Sequence, residues 1–214
     1  MLIGIPTKYG TGIELQGDFY DLNSLWNTIH YISSNLDDTP ESTLILSLAY
    51  DVRKARDNQR EQVTKESNNT YYSVKIFWNT FIVIINLLRI RLEQLPKQHE
   101  HWATIYRLEA LCIEALEEYN LNIGMNISKW ITLYKVCIDE KLLVLDSFVS
   151  YNLLSTKNGI HRFRALENEL MVFLDSSQER EQLLAQLKVV AKQKKCKIED
   201  LSMPLEVFDN KYKW

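Results

Sequence analysis

Glycine divides this chain into two unlike parts. Four of the six glycines fall within the first 17 residues, at positions 4, 10, 12 and 17, and the other two are Gly124 and Gly159. Glycine marks turns and weakens the interior of helices and strands. The distribution therefore predicts a short N-terminal segment with sharp turns, followed by long uninterrupted elements.

The N-terminal segment has the pattern of a small β-hairpin. Residues 2–5 and 12–16 are β-compatible runs, and the segment between them contains Pro6 and Gly10. A two-stranded hairpin is marginally stable alone. We therefore expect residues 1–17 to form a β-hairpin appendage that lies against an apolar surface of the rest of the chain.

Helical periodicity begins directly after this segment. Asp21 is a predicted N-cap for a first helix that reaches Ile32. Thr39 and Pro40 predict the start of a second helix, with threonine as the cap and proline at the first helical position. Residues 44–48 also fit a buried strand, because periodicity does not decide so short an apolar run.

The rest of the chain is predicted to be a polar loop followed by helices. The loop is predicted for residues 62–70. The helices are predicted for residues 72–95, 102–119, 127–155, 160–174 and 178–193.

These elements predict a mainly α protein, a helical bundle of about six to seven helices with a small N-terminal β-hairpin. We expect a single domain over residues 1–214. The last segment, residues 205–214, is rich in apolar side chains. It contains Val207, Phe208, Tyr212 and Trp214. We therefore expect it to dock as a C-terminal tail on the body of the domain.

Composition restricts the compartment and the class of partner. The 25 basic and 28 acidic residues give a formal net charge of −3, which is unlike a dedicated nucleic-acid coat or a polybasic membrane binder. The most apolar stretch, residues 76–88, has 13 uncharged residues, fewer than a bilayer-spanning helix needs. No secretory signal is visible and the three cysteines are scattered. We expect a cytoplasmic protein with reduced thiols that does not bind membranes.

Catalytic motifs are missing from the sequence. There is no nucleophile elbow, no phosphate-binding loop, no dinucleotide fingerprint, and no Glu-x-x-His pair for a di-metal site. His99 and His101 form the sole histidine cluster, which fits an exposed turn better than a metal site. We therefore predict no catalytic residues, no metal and no cofactor.

A basic cluster is the main candidate for contact with an anion or a nucleic acid. It consists of Arg53, Lys54, Arg56 and Arg60. Acidic residues at positions 51, 57 and 61 are interleaved with it, so local ion pairs would neutralise much of the charge on a helix. A solvated helix face is the competing interpretation.

Aromatic residues are the candidates for a protein interface, since the chain has five tryptophans and eleven tyrosines. Tyrosine and tryptophan anchor interfaces because they bury large areas and keep a polar group. Core packing explains most of them. The candidates near the ends of predicted elements are Tyr71, Tyr72, Trp78, Tyr212 and Trp214.

Three segments together resemble a known family. They are residues 13–22, with the sequence IELQGDFYDL, residues 49–55, with the sequence AYDVRKA, and residues 74–78. About the first 95 residues resemble a family of short, uncharacterised bacterial proteins known only as a domain of unknown function. The resemblance implies a bacterial or phage origin and a place in a defence or toxin–antitoxin locus. It carries over no catalytic residue, and Lys54 stands where we associate a histidine with the family.

Two functional hypotheses follow. The first is a non-enzymatic interaction protein, a subunit or regulator of a bacterial defence, immunity or toxin–antitoxin assembly, which binds another protein subunit or forms a homodimer. The second is a divergent RNA-processing or nucleotide-binding enzyme similar to the HEPN ribonucleases, which would use Arg53, Arg56, Arg60 and the Tyr50-Asp51 pair. The arginine-to-histidine spacing of the HEPN motif is absent from this sequence.

Overall fold

A computed structural model describes residues 1–64, 70–202 and 213–214. These residues form a mainly helical structure with one antiparallel β-sheet. The strands are β1 (Ile3–Pro6), β2 (Gly12–Gly17), β3 (Gln62–Thr64) and β4 (Thr70–Phe77). The helices are α1 (Phe19–Ser33), α2 (Pro40–Arg56), α3 (Trp78–Leu92), α4 (His99–Tyr119), α5 (Leu121–Ile127), α6 (Lys129–Thr132), α7 (Leu142–Ser155), α8 (Ile160–Leu170) and α9 (Gln178–Lys194), with a 3₁₀ turn at Met171–Phe173.

The predicted N-terminal hairpin is confirmed, and it is part of a larger sheet. β1 and β2 pair antiparallel, with Ile3 opposite Gln16. The four strands are ordered β1-β2-β4-β3, so β2 lies inside the sheet and pairs with β4 over its whole length. The hairpin is therefore held by a strand that follows it by more than fifty residues, in addition to its contact with α4.

Strand β4 is where the sequence prediction was wrong. We predicted a loop over residues 62–70 and a helix over residues 72–95, but residues 70–77 are a strand and the helix begins at Trp78. The alternation of buried Val74 and Ile76 with the partly exposed Lys75 is a period-two pattern. The apolar stretch after residue 77 has helical periodicity, and for this reason we assigned residues 72–77 to the same helix. Pairing with β2 decides the conformation, because Val74 and Ile76 lie opposite the fully buried Leu15 and Ile13.

The starts of the first two helices follow the expected capping chemistry, with one shift. Asp18, rather than Asp21, caps α1, and its side chain accepts hydrogen bonds from the backbone N–H groups of Tyr20 and Asp21. The Asp21 carboxylate accepts a bond from the backbone of Asp18 in return, at 3.2 Å. Thr39 caps α2 as predicted, and the undecided residues 44–48 lie within this helix.

The segment predicted as one long helix, residues 127–155, is divided. It contains the end of α5, the short α6 and, after a loop, α7. In that loop Asp139 accepts hydrogen bonds from Arg180 at 2.6 Å and from the backbone N–H of Lys141 at 2.9 Å. These bonds hold the chain in a turn that periodicity does not reveal. The described residues consequently form more helices than the six to seven predicted.

Helix α3 lies at the centre of the fold. It packs against β2 and β4 and against α1, α2, α4, α6, α7 and α8. Its polar side chains are tied to neighbours: Asn86 donates to the carbonyl of Trp130 at 2.8 Å. Arg91 donates through two nitrogens to both carboxylate oxygens of the buried Glu41 on α2. Among the described helices, none has both the length and the apolar character needed to cross a membrane.

The last two residues contact the sheet. The Thr11 hydroxyl donates to the carbonyl of Lys213 at 2.6 Å and accepts a hydrogen bond from the buried Arg162 at 2.6 Å. The Trp214 ring stacks on Phe77 with centroids 5.1 Å apart. The rest of the predicted docked tail, residues 205–212, lies outside the described residues.

The β2–β4 pairing gives a prediction for Gly12. A Cβ at this position would lie 1.9 Å from the carbonyl oxygen of Ile76, so Gly12→Ala forces the two strands apart. We expect the free energy of unfolding, measured in urea, to fall by about 3 kcal/mol or more. Gly4→Ala is the control, because its Cβ meets the movable Cδ1 of Ile13 at 2.8 Å and a backbone oxygen at 3.2 Å. Equal stability of the two variants would contradict the pairing.

Candidate functional site

The structure separates the four residues of the predicted basic cluster. Arg56 lies between α2 and α1, where it donates to Asn23 at 3.0 Å and to Asp57 at 2.9 Å. Its guanidinium also lies 5.0 Å from the ring centroid of Trp26. Arg60 follows the helix and donates to Asp51 at 2.5 Å. The expected local ion pairing therefore holds for Arg56 and Arg60.

Arg53 and Lys54 are arranged differently. The Arg53 guanidinium lies 5.5 Å and the Lys54 ammonium 4.4 Å from the ring centroid of Tyr50, one turn earlier on α2. Neither cation forms an ion pair within the part of the chain that the structure describes. Both cations instead lie against the Tyr50 ring.

Exposed aromatic side chains lie on α2 and at the start of α1. Tyr20 is 80% exposed, and Phe19 and Tyr50 are each 48% exposed. Phe19 and Tyr20 meet edge to face, with centroids 5.7 Å apart. Arg56, one turn after Arg53 on α2, lies 5.9 Å from the Phe19 ring and links the two helices.

We call this surface the aromatic–basic face. It consists of Phe19, Tyr20, Tyr50, Arg53 and Lys54. Sequence reasoning missed Phe19 and Tyr20. No local signal set them apart from core aromatics, since Trp78 also begins its helix and is buried.

The predicted interface aromatics occupy different environments. Trp78 is 1% exposed and belongs to the core, so its side chain is not at the surface. Tyr72 is partly buried against that core. Tyr71 lies opposite Val63 on the β3–β4 ladder. Trp214 stacks on Phe77, as described above, and Tyr212 lies outside the described residues.

A cleft of about 440 Å³ lies on the other side of α2, between α2 and β4. We call it the α2–β4 cleft. It is lined by Ser47, Leu48, Asp51, Arg60, Glu61, Ser73, Val74, Lys75, Ile76, Phe77, Thr80, Ile84 and Trp214. Two predicted site residues, Arg60 and Trp214, meet here with Asp51 of the Tyr50-Asp51 pair.

The charged groups of the cleft are paired. Arg60 donates to Asp51 at 2.5 Å, and Lys75 donates to Glu61 at 2.7 Å. All four side chains are at least partly exposed. Pairs of this kind contribute about 1 kcal/mol or less to stability, so a ligand can displace one partner at small cost.

A buried carboxyl group lies directly behind the cleft wall. The Thr80 hydroxyl lies 3.0 Å from both carboxylate oxygens of Asp146 on α7. The amide of Asn79 donates to Asp146 at 2.8 Å and to Ser150 at 2.8 Å. Burial raises the pKa of Asp146 from 3.8 to about 6, because desolvation outweighs the bonds from Thr80 and Asn79.

Sequence reasoning also missed this group. Its signals were Asn79 and Thr80 within an apolar run and Asp146 within another. A polar residue inside an apolar helix needs a partner, but the sequence does not show which helices meet.

The histidines and cysteines do not converge. The His101 ring is buried, lies 3.0 Å from the Thr28 hydroxyl and stacks on Tyr31 with centroids 4.2 Å apart. Cys112 is fully buried in the core, and this burial raises the pKa of its thiol. Within the described ranges, no group of three or more His, Cys, Asp or Glu side chains is arranged to hold a metal ion.

Comparison with known proteins gives one match. A family model described as a domain of unknown function, DUF6904, matches residues 2–214. The resemblance seen over the first 95 residues therefore extends over almost the whole chain. No curated protein and no solved structure matches the chain.

The raised pKa of Asp146 predicts a pH dependence of stability. Because the folded-state pKa of about 6 lies above the ordinary value of 3.8, the folded state holds this proton more tightly than the unfolded state does. The Asp146 carboxyl therefore adds to the free energy of unfolding below pH 4, and this contribution is lost as the pH rises to about 6. Asp146→Asn removes the effect. We expect the free energy of unfolding of the wild type to fall by about 2 kcal/mol relative to this variant between pH 4 and 7.

Urea denaturation at several pH values measures this difference. Asp37→Asn is the control, since Asp37 is an exposed carboxyl. Parallel pH profiles for the wild type and Asp146→Asn would contradict the assignment.

Proposed function

We propose that this chain, which belongs to the DUF6904 family, is a non-enzymatic interaction protein that binds a protein partner through its aromatic–basic face. The observation that carries the proposal is the exposure of Tyr20, Phe19 and Tyr50, together with two cations at Tyr50 that have no ion-pair partner among the described residues. Exposed aromatic side chains and nearby cations together are typical of a binding surface.

The physical basis is the composition of interface hot spots. Aromatic side chains bury large areas when a partner covers them, and tyrosine keeps a hydroxyl that finds a hydrogen bond. Arg53 and Lys54 add a positive field that favours acidic groups on the partner and suppresses basic ones. The partner we propose therefore presents apolar side chains flanked by Asp or Glu.

The biological setting is part of the proposal and follows from the sequence resemblance to short bacterial proteins. It is that of a subunit or regulator in a cytoplasmic defence, immunity or toxin–antitoxin assembly of a bacterium. A homodimer formed through the same face is a special case in which the partner is a second copy of the chain.

A pull-down from the source cells tests the proposal. We expect the tagged wild type to retain a stoichiometric protein partner, identified by mass spectrometry. The double variant Tyr20→Ala with Tyr50→Ala should lower the affinity of the purified pair at least about tenfold, because each truncated anchor costs about 1–2 kcal/mol. Tyr106→Ala, at another exposed tyrosine, is the matched control and should leave the affinity unchanged.

The nucleic-acid alternative is supported by the position of Tyr50 between the Arg53 and Lys54 cations, since an exposed ring with flanking cations can stack on a base. The absorbance ratio at 260 and 280 nm of the same eluate separates the two proposals. A wild type that elutes without a protein partner but with nucleic acid, which Arg53→Ala with Lys54→Ala removes, would contradict the protein-binding proposal. Turnover of RNA or nucleotide by that eluate would favour the alternative hypothesis of an RNA-processing or nucleotide-binding enzyme.

A further inference from the structure

We propose that the α2–β4 cleft binds a small zwitterionic molecule with a large apolar group, of the class of free aromatic α-amino acids. This site is separate from the aromatic–basic face and does not depend on the function proposed for it. Three properties of the cleft carry the inference: its size, its apolar walls and the arrangement of its charges.

The size and the walls fit a compact apolar group. The volume of about 440 Å³ lies within the range of small-molecule sites. Leu48 from α2, Val74 from β4 and Ile84 from α3 are among the lining residues, and all three are core side chains. The stacked rings of Phe77 and Trp214 line the same cleft. The three aliphatic side chains are each at most 4% exposed and lie beneath the cleft surface, so a planar ring placed here would lie beside the partly exposed rings of Phe77 and Trp214.

The charges select a ligand of both signs. The lining side chains include two cations, Arg60 and Lys75, and two carboxylates, Asp51 and Glu61, which form two separate ion pairs. An anion that displaced a carboxylate from Arg60 would leave Asp51 without its partner. A cation that displaced Arg60 would leave the guanidinium without its partner. A zwitterion satisfies both groups of an opened pair, its carboxylate taken by Arg60 and its ammonium by Asp51.

The hydroxyl of Thr80 does not serve as a primary contact for the charged groups, since it already binds Asp146. It fixes the position of this part of the cleft wall through its bond to α7. The lining thus combines apolar side chains with ion pairs of partly exposed side chains.

Isothermal titration calorimetry on the full chain tests the proposal with L-phenylalanine and L-tryptophan as probes. We expect at least one of them to bind. Two analogues each lack one charge: 3-phenylpropionate has no ammonium group and 2-phenylethylamine has no carboxylate. Both should bind at least about tenfold more weakly, because each leaves one charged group of the opened pair unsatisfied.

Variants locate the site. Arg60→Gln should weaken amino-acid binding at least about tenfold, and Asp51→Asn should do the same through the ammonium group. Lys188→Gln is the control, because Lys188 is an exposed cation on α9 that does not line the cleft, and it should leave binding unchanged. Circular dichroism verifies that each variant is folded, and Asp51→Asn alone locates the site if Arg60→Gln is not folded.

Three results would overturn the proposal. The first is absence of binding by both amino acids up to about 10 mM, which corresponds to a binding free energy weaker than about −3 kcal/mol. The second is equal binding of the analogue that lacks the ammonium or the carboxylate. The third is unchanged binding in the folded Arg60 or Asp51 variant. Loss of the protein partner in the variants of the aromatic–basic face has no bearing on these outcomes, so the two proposals fail independently.

Discussion

The pairing of β2 with β4 is the contact on which the rest of the structure depends. It joins residues 12–17 to residues 72–77 across a sequence separation that contains two helices and a third strand. The pair turns the N-terminal hairpin into the inner part of a four-stranded sheet. It also fixes the point where the chain enters α3, because Trp78 follows β4 directly and its backbone N–H donates to the carbonyl of Thr11. The central helix is therefore positioned by the sheet.

Helix α2 then separates two surfaces with different chemistry. On one side it packs on α1, where Arg56 reaches the Phe19 ring, and Arg53 and Lys54 lie against the exposed Tyr50. On the other side Asp51 faces the cleft whose far wall is β4. Charges that form one cluster in the sequence, residues 51–61, are thus divided between cations that lie against Tyr50 and ion pairs that line the cleft.

Local sequence signals predicted the parts of the fold that local interactions determine. The hairpin, the cap of α2 at Thr39 and the mainly helical class were all predicted, because turn residues and capping side chains act within a few positions. Strand β4 and the turn at Asp139 were not. The first depends on a partner strand far away in sequence, and the second on Arg180 of a later helix. The same limit hid the candidate sites, since the cleft and the Asp146 network bring together residues from several elements.

Nuclear Overhauser contacts between residues 12–17 and 72–77 in the isotopically labelled protein test the central claim most directly. The structure predicts cross-strand contacts in the antiparallel register that places Ile13 opposite Ile76 and Leu15 opposite Val74. It also predicts extended-chain chemical shifts for residues 70–77 and helical shifts from Trp78 onward. Helical shifts and sequential helical contacts that start at residue 72, without contacts to residues 12–17, would contradict the sheet, the cleft wall and the position of α3 together.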